Sequence, residues 1–192
     1  MNKKIFLIIG IIIFILICTA YMKKTTKDNK TTNKNNKNIE KVTMVSDIVY
    51  RGKFPIPVEN FIVVTSGYGL REGNEIVSSN HRGIDLCGTI GSRIIAVKDG
   101  EITYAGWQSG YGNCVEIKHI DENGKVFYTF YAHMRDNSLQ VKQGQKVITG
   151  QVIGTQGTTG NSTGDHLHFE IRTNSGWNGY AIDPTPYLFE KV

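Results

Sequence analysis

Late in the chain, the run Gly164-Asp165-His166-Leu167-His168-Phe169-Glu170 places two of the five histidines at i and i+2 in a stretch of β-strand character. Successive side chains on a strand alternate between faces. His166 and His168 therefore point the same way, roughly 6.5 to 7 Å apart at the backbone, while Leu167 and Phe169 turn to the other side. A strand holds such a pair rigidly, which suits one ring to a metal ion and the other to a place beside it. The same pair also reads as two polar residues on a solvated strand face.

An earlier cluster supplies what that pair lacks. His81-Arg82-Gly83-Ile84-Asp85 sets an imidazole and a carboxylate four positions apart around a glycine. Fully extended, those backbones would lie about 13 Å apart, too far for one small ion, so the chain has to bend, and Gly83 permits the bend. Two imidazoles and one carboxylate form a set that zinc commonly accepts, with a fourth position left for water in catalytic sites. His81, Asp85 and His168 would supply the three. His166 is then adjacent but uncommitted, and His133, in Tyr131-Ala132-His133-Met134, ends a predicted strand. Both are suited to moving protons near neutral pH. His119, in Lys118-His119-Ile120-Asp121, falls outside these groupings and reads as a surface residue.

The elements that must position these residues are short. Runs of β-branched and aromatic residues recur at Phe61 to Thr65, Ser92 to Val97, Gly100 to Ala105, Cys114 to Lys118, Val126 to Ala132, Val147-Ile148, Val152 to Gly154 and His166 to Arg172. Turn signals separate them at Lys98-Asp99-Gly100, Gly110-Tyr111-Gly112-Asn113, Glu122-Asn123-Gly124 and Thr159-Gly160-Asn161. No window of helical length carries a convincing 3.6-residue apolar period. The pattern predicts an all-β or nearly all-β domain of antiparallel hairpins over residues 46–192. The Gly-Gln steps between Lys142 and Gly154 resemble the tight hairpins of biotinyl/lipoyl-like sandwiches.

Ahead of the domain lie two segments of different character. Ile5 to Met22 is an uncharged apolar run which, as a helix of about 18 residues, would span roughly 27 Å, near the lower limit for a bilayer. It reads as a transmembrane anchor over residues 1–22, with a cleaved signal peptide as the competing reading, since Lys3-Lys4 precede it and Cys18-Thr19-Ala20 offers small residues. Ile17 is large where a lipoprotein site at Cys18 would want a small residue. Residues 23–45 are rich in Lys, Asn and Thr, too polar to offset their ordering entropy, and read as a disordered linker. They would also suit a polybasic contact with anionic lipid headgroups. The formal charge of +5 belongs to this N-terminal part, which carries +7 through residue 41 and leaves −2 for the rest. Nucleic-acid binding by the domain loses its main support. Lysines crowd the C-terminal flank of the apolar run, which alone favours a cytoplasmic domain. Long domains are translocated largely regardless of charge, however, and the expected arrangement is a single-pass membrane protein with the domain outside the cell, where the chemistry implied by the resemblance below makes sense.

The motifs together resemble the LytM/lysostaphin-type zinc metallopeptidases. The resemblance rests on Ser66-Gly67-Tyr68-Gly69 with Arg71, His81-x-Gly-x-Asp85, Gly110-Tyr111-Gly112-Asn113, Tyr131-Ala132-His133, Gly160 to Gly164, His166-Leu167-His168-Phe169-Glu170 and the closing Asp183-Pro184 with Tyr187-Leu188. It covers roughly residues 60 to 190. It implies an antiparallel β-sandwich with a groove across one sheet, His81, Asp85 and His168 as ligands of Zn2+, and His133 and His166 as the pair flanking the metal-bound water. One of that pair would assist deprotonation, and the other would stabilise the oxyanion or protonate the leaving amine. The implied substrate is a peptide bond in peptidoglycan stems or cross-bridges.

A rival of a different class is also implied: a LytM domain used as a scaffold or binding module, either activating another cell-wall hydrolase or joining a sporulation channel, with a protein partner. Family members that serve only as scaffolds often lack one of these five positions, and all five are filled here. Cys87 and Cys114 read as buried thiols in preference to a disulfide. Of Trp107, Trp177, Tyr111 and Tyr180, one or two are expected to touch substrate, the others filling the core or covering its ends.

Overall fold

The computed structural model describes residues 52–70, 79–176 and 179–189. The expected anchor at 1–22 and linker at 23–45 lie outside the described residues. Among the described residues, no helix is long and apolar enough to cross a membrane.

The short apolar runs become β1 (Phe61–Ser66), β2 (Gly69–Leu70), β3 (Asn80–His81), β4 (Ile84–Gly88), β5 (Arg93–Ile95), β6 (Gly100–Gln108), β7 (Gly112–Ile120), β8 (Val126–Met134), β9 (Lys146–Val147), β10 (Val152–Thr155), β11 (Leu167–Arg172) and β12 (Ala181–Ile182). A helical turn follows, α1 (Thr185–Leu188), opened by Pro184 and closed by burial of Leu188. The main sheet has eight strands in the order β1-β4-β11-β8-β7-β6-β9, with β12 added on β11. Its pairings are antiparallel.

Alternation decides which face of this sheet becomes the core. On β11, Leu167, Phe169 and Ile171 enter one apolar cluster with Ile84 and Leu86 of β4 and Val115 and Ile117 of β7. Each such burial contributes about 1.5 to 3 kcal/mol. The two-stranded β5–β10 sheet closes over this cluster by adding Ile94 and Ile153. The layers are thus unequal, one broad sheet and one small one. On the opposite face of β11 stand His168, Glu170 and Arg172, and that face carries the candidate site.

The surface reading of His119 is overturned: the residue is completely buried. It shares the parity of Val115 and Ile117 on β7, so its ring faces inward and stacks on Phe127 at 4.9 Å. Nδ1–H donates to the Asp99 carbonyl (2.9 Å), and Nε2 lies 2.7 Å from the Thr129 hydroxyl. Satisfying both ring nitrogens is what makes the burial tolerable. Gly100 completes the fit, since a Cβ there would come within 2.8 Å of the imidazole.

Burial pushes the His119 pKa down to about 4, so the ring stays neutral in the fold while an unfolded imidazole gains a proton near 6.5. The unfolded state therefore binds more protons between those values, and stability falls as pH drops through that window. His119→Ala is expected to cost about 2 to 4 kcal/mol at pH 7, through the void and the orphaned Thr129 and Asp99 groups. Urea unfolding at pH 7 and pH 5 checks this, with a smaller pH effect in the variant; an unchanged midpoint would return His119 to the surface.

Candidate metal centre

Register brings the first two ligand candidates side by side. His168 of β11 pairs directly with Asp85 of β4 and with Ala132 of β8. The third arrives by a bend, with His81 closing β3 three residues before β4 begins. Gly83 is required in that bend because a Cβ would lie 2.3 Å from the Phe169 carbonyl oxygen. Its role is close backbone approach, and its φ is not in the left-handed region.

His81 Nε2 lies 3.0 Å from Asp85 Oδ1 and 3.0 Å from His168 Nδ1, and His168 Nδ1 lies 2.9 Å from Asp85 Oδ1. The outward nitrogens decide what these atoms can do. His81 Nδ1–H donates to the Gly67 carbonyl at 2.6 Å, and His168 Nε2–H donates to Glu170 Oε1 at 2.9 Å. With a hydrogen on each outward nitrogen, the inward nitrogens of the two rings and one carboxylate oxygen face a common point. Three acceptors so close repel unless a proton or a cation sits among them. The donor set and its burial fit zinc.

His133 reaches the same place against the run of its strand. On β8, Thr129 and Tyr131 are buried toward the core while Phe130 and Ala132 belong to the opposite face, so simple alternation would send His133 inward. It adopts φ 60 instead, and the register shifts between Asn113↔Met134 and Val115↔Tyr131. This extra residue is a bulge that turns His133 onto the site face and returns Met134 to the core. Its Nδ1–H donates to the Thr159 carbonyl at 2.7 Å. His166, just ahead of β11, donates Nδ1–H to the Gly164 carbonyl at 2.8 Å and holds Nε2 3.6 Å from Asp85 Oδ1. The His133 and His166 rings are 4.9 Å apart. Close contact between two glycine turns secures Thr159, since a Cβ on Gly112 would strike its backbone at 2.4 Å and one on Gly160 would strike the Gly112 nitrogen at 2.4 Å.

Environment separates the roles. Burial, aided by His166 and His168 nearby, pushes the His133 pKa down to about 3, and burial likewise lowers that of His166. Both rings are neutral at pH 7, with Nε2 free to accept a proton. Burial opposes charge on Asp85 too, but hydrogen bonds from His168 and His81 outweigh it and hold the carboxyl well below the usual carboxylate range. Burial would also lower the His168 pKa, and its bonds to Asp85 and Glu170 reverse this and raise it to about 9.

All five expected residues therefore converge. Of the aromatic candidates, Tyr111 lies against the site with its ring 5.7 Å from that of His168, Trp107 and Tyr180 are exposed, and Trp177 lies outside the described residues. Cys87 and Cys114 are both buried and are not joined to each other by a disulfide, in line with the sequence reading. The partners Glu170 and Arg172 carried no assigned role, although their i+2 and i+4 spacing from His168 puts them on its face. The Thr159 and Gly164 carbonyls have no signature in a sequence, because any residue supplies one.

A proton on metal-free His168 competes with a cation. Apparent zinc affinity is expected to rise with pH up to about 9 and then level, as chelator competition across that range would read. His81→Ala or His168→Ala should abolish stoichiometric zinc, and full occupancy in both would overturn the ligand assignment.

Known proteins are similar to this chain. The chain is 42% identical over 113 residues to the glycyl-glycine endopeptidase ALE-1 of Staphylococcus capitis, covering 59% of this chain and 30% of that protein. It is 38% identical over 133 residues to the murein hydrolase activator NlpD of Escherichia coli, covering 69% of this chain and again 30% of the other. The match thus spans less than a third of either curated relative. The crystallised catalytic domain of the antimicrobial peptidase lysostaphin from Staphylococcus simulans superposes with a TM-score of 0.57 at 37% identity, over 65% of this chain and 90% of that one. The model of peptidase family M23 matches residues 79–184, from just before His81 to just beyond Asp183, and the chain belongs to that family.

Proposed function

We propose that this protein is a membrane-tethered, zinc-dependent endopeptidase that hydrolyses peptide bonds in the stems or cross-bridges of peptidoglycan. The observation that carries the reading is the division of labour among five imidazole and carboxylate side chains. His81, Asp85 and His168 converge to hold the metal, while His133 and His166 stay neutral with their Nε2 atoms free. When bound there, zinc would polarise the scissile carbonyl and acidify a water beside it. One of His133 and His166 takes the proton at Nε2. The imidazolium so formed can return that proton from Nε2 to the leaving amine. Their Nδ1–H bonds to Thr159 and Gly164 fix both tautomers, so neither ring turns without losing a buried bond.

The substrate class is supported by the endopeptidase and peptidase relatives. Tethering is supported by the apolar run at Ile5 to Met22, and a peptidoglycan substrate calls for the domain to lie on the extracytoplasmic side of the cell membrane. A second reading, a module that activates a partner hydrolase, draws support from the similarity to NlpD.

Purified peptidoglycan separates the two. Wild type is expected to release new amino termini, with His133→Ala or His166→Ala slower by about 10²- to 10⁴-fold while zinc is retained. A wild-type protein that holds zinc yet releases none from several cross-link types would establish the activator reading instead.

A further inference from the structure

Behind His168 lies a chain of buried charges that the proposed reaction does not use directly. Glu170 is completely buried, and its Oε1 accepts from His168 Nε2–H at 2.9 Å and from the Tyr111 hydroxyl at 2.9 Å. Its Oε2 accepts from Arg172 Nε at 2.7 Å. Arg172, 1% exposed, stacks its guanidinium 3.8 Å from the Phe130 ring centroid and donates Nη1–H to Glu116 Oε2 at 3.2 Å. Glu116 is anchored in turn by the Thr103 and Ser175 hydroxyls and the Gly176 amide. A second arginine, Arg82, approaches Glu170 Oε2 at 3.8 Å from the other side.

We propose that Glu170, held by Arg172 and Tyr111, is a positioning residue that fixes the tautomer and orientation of His168 so that Nδ1 faces His81 and Asp85. This rests on the metal-site reading above. The physical argument concerns donors and acceptors. A carboxylate salt-bridged to arginine only accepts, so the nitrogen of His168 facing it must carry the hydrogen, and Nδ1 is the nitrogen that offers a lone pair when a cation takes the place of its proton. An amide at the same position could flip and donate, which would stabilise the wrong tautomer.

The network is also a poor device for stability alone. Two carboxylates and a guanidinium are removed from water, a cost that apolar side chains of similar volume would avoid. Arg172 Nη2, moreover, is buried with no hydrogen-bond partner among the described residues. Arg172 reaches Glu170 because i+2 and i+4 residues on β11 stand on the face of His168, so the clamp and the ligand are set by one strand and cannot drift apart.

Two variants of the full chain test this, read by chelator competition for zinc and by the visible spectrum of the cobalt-substituted protein. Glu170→Gln keeps size and shape and should weaken zinc binding by about 10- to 100-fold with an altered cobalt spectrum. Tyr111→Phe keeps the ring, removes one hydroxyl from Glu170, and should weaken zinc by about two- to tenfold. Native affinity and an unaltered spectrum in Glu170→Gln would overturn the proposal. If Glu170→Gln fails to fold, native zinc affinity in Tyr111→Phe does the same. Wild type that binds no zinc removes the metal-site reading and this inference with it, whereas zinc-loaded wild type with unaffected variants removes this inference alone.

Discussion

Strand β11 carries two incompatible environments on one backbone, and the rest of the domain is arranged to keep them apart. Leu167, Phe169 and Ile171 belong to the apolar core, while His168, Glu170 and Arg172 point the other way. A slip of one residue would exchange the two sets, placing three polar or charged groups in the core. β4 and β8 flank β11 on either side and lock the register that sets His168 beside Asp85. Hydrophobic burial thereby positions the candidate metal ligands, although no apolar atom is among them.

That regularity has one deliberate breach. A strictly alternating β8 could not present both Ala132 beside His168 and His133 above it. The bulge at His133 resolves this at the cost of a left-handed backbone on a non-glycine residue, a conformation of order 1 to 3 kcal/mol above the ordinary regions. Compensation is local: its amide donates to Tyr111 O and its ring to Thr159 O. Both partners lie in glycine turns that close on each other through Asn161 N–H to Gly110 O. The glycines at 112 and 160 therefore serve the His133 side of the candidate site by allowing two backbones to touch.

How much of this was legible in the sequence depends on whether side-chain type or backbone geometry carried the information. His81, Asp85 and His168 were legible because few residue types bind zinc and Gly83 implied a bend. The reason for Gly83, contact with a carbonyl of a strand more than eighty residues away, was not. His133 was identified through its motif, yet alternation alone would have buried it, because a bulge depends on pairing that no local pattern displays. His119 failed in the opposite sense. Its neighbours Lys118 and Ile120 are both exposed, and only the parity shared with Val115 and Ile117 marks it as interior. Glu170 and Arg172 were visible as spacing, but their value lies in contacts with Tyr111, Glu116 and Phe130, which come from other strands.

These buried charges also tie folding to the cation. Asp85, Glu170 and Glu116 bring three carboxylates under one face of the sheet, against Arg172 and the partly exposed Arg82. Without metal, a proton on His168 supplies the missing positive charge, which is why its two carboxylate partners raise its pKa despite burial. That proton favours the folded state at low pH, since the folded pKa lies above the unfolded one, and the benefit fades as pH climbs from about 6.5 to about 9. A divalent cation bound there would replace it with a larger charge that does not depart at high pH. Metal binding to the native state alone then stabilises the fold by mass action. The lone pairs that would hold a cation thus leave the metal-free form electrostatically incomplete, so the demands of the candidate site and of a stable sheet fall on the same residues.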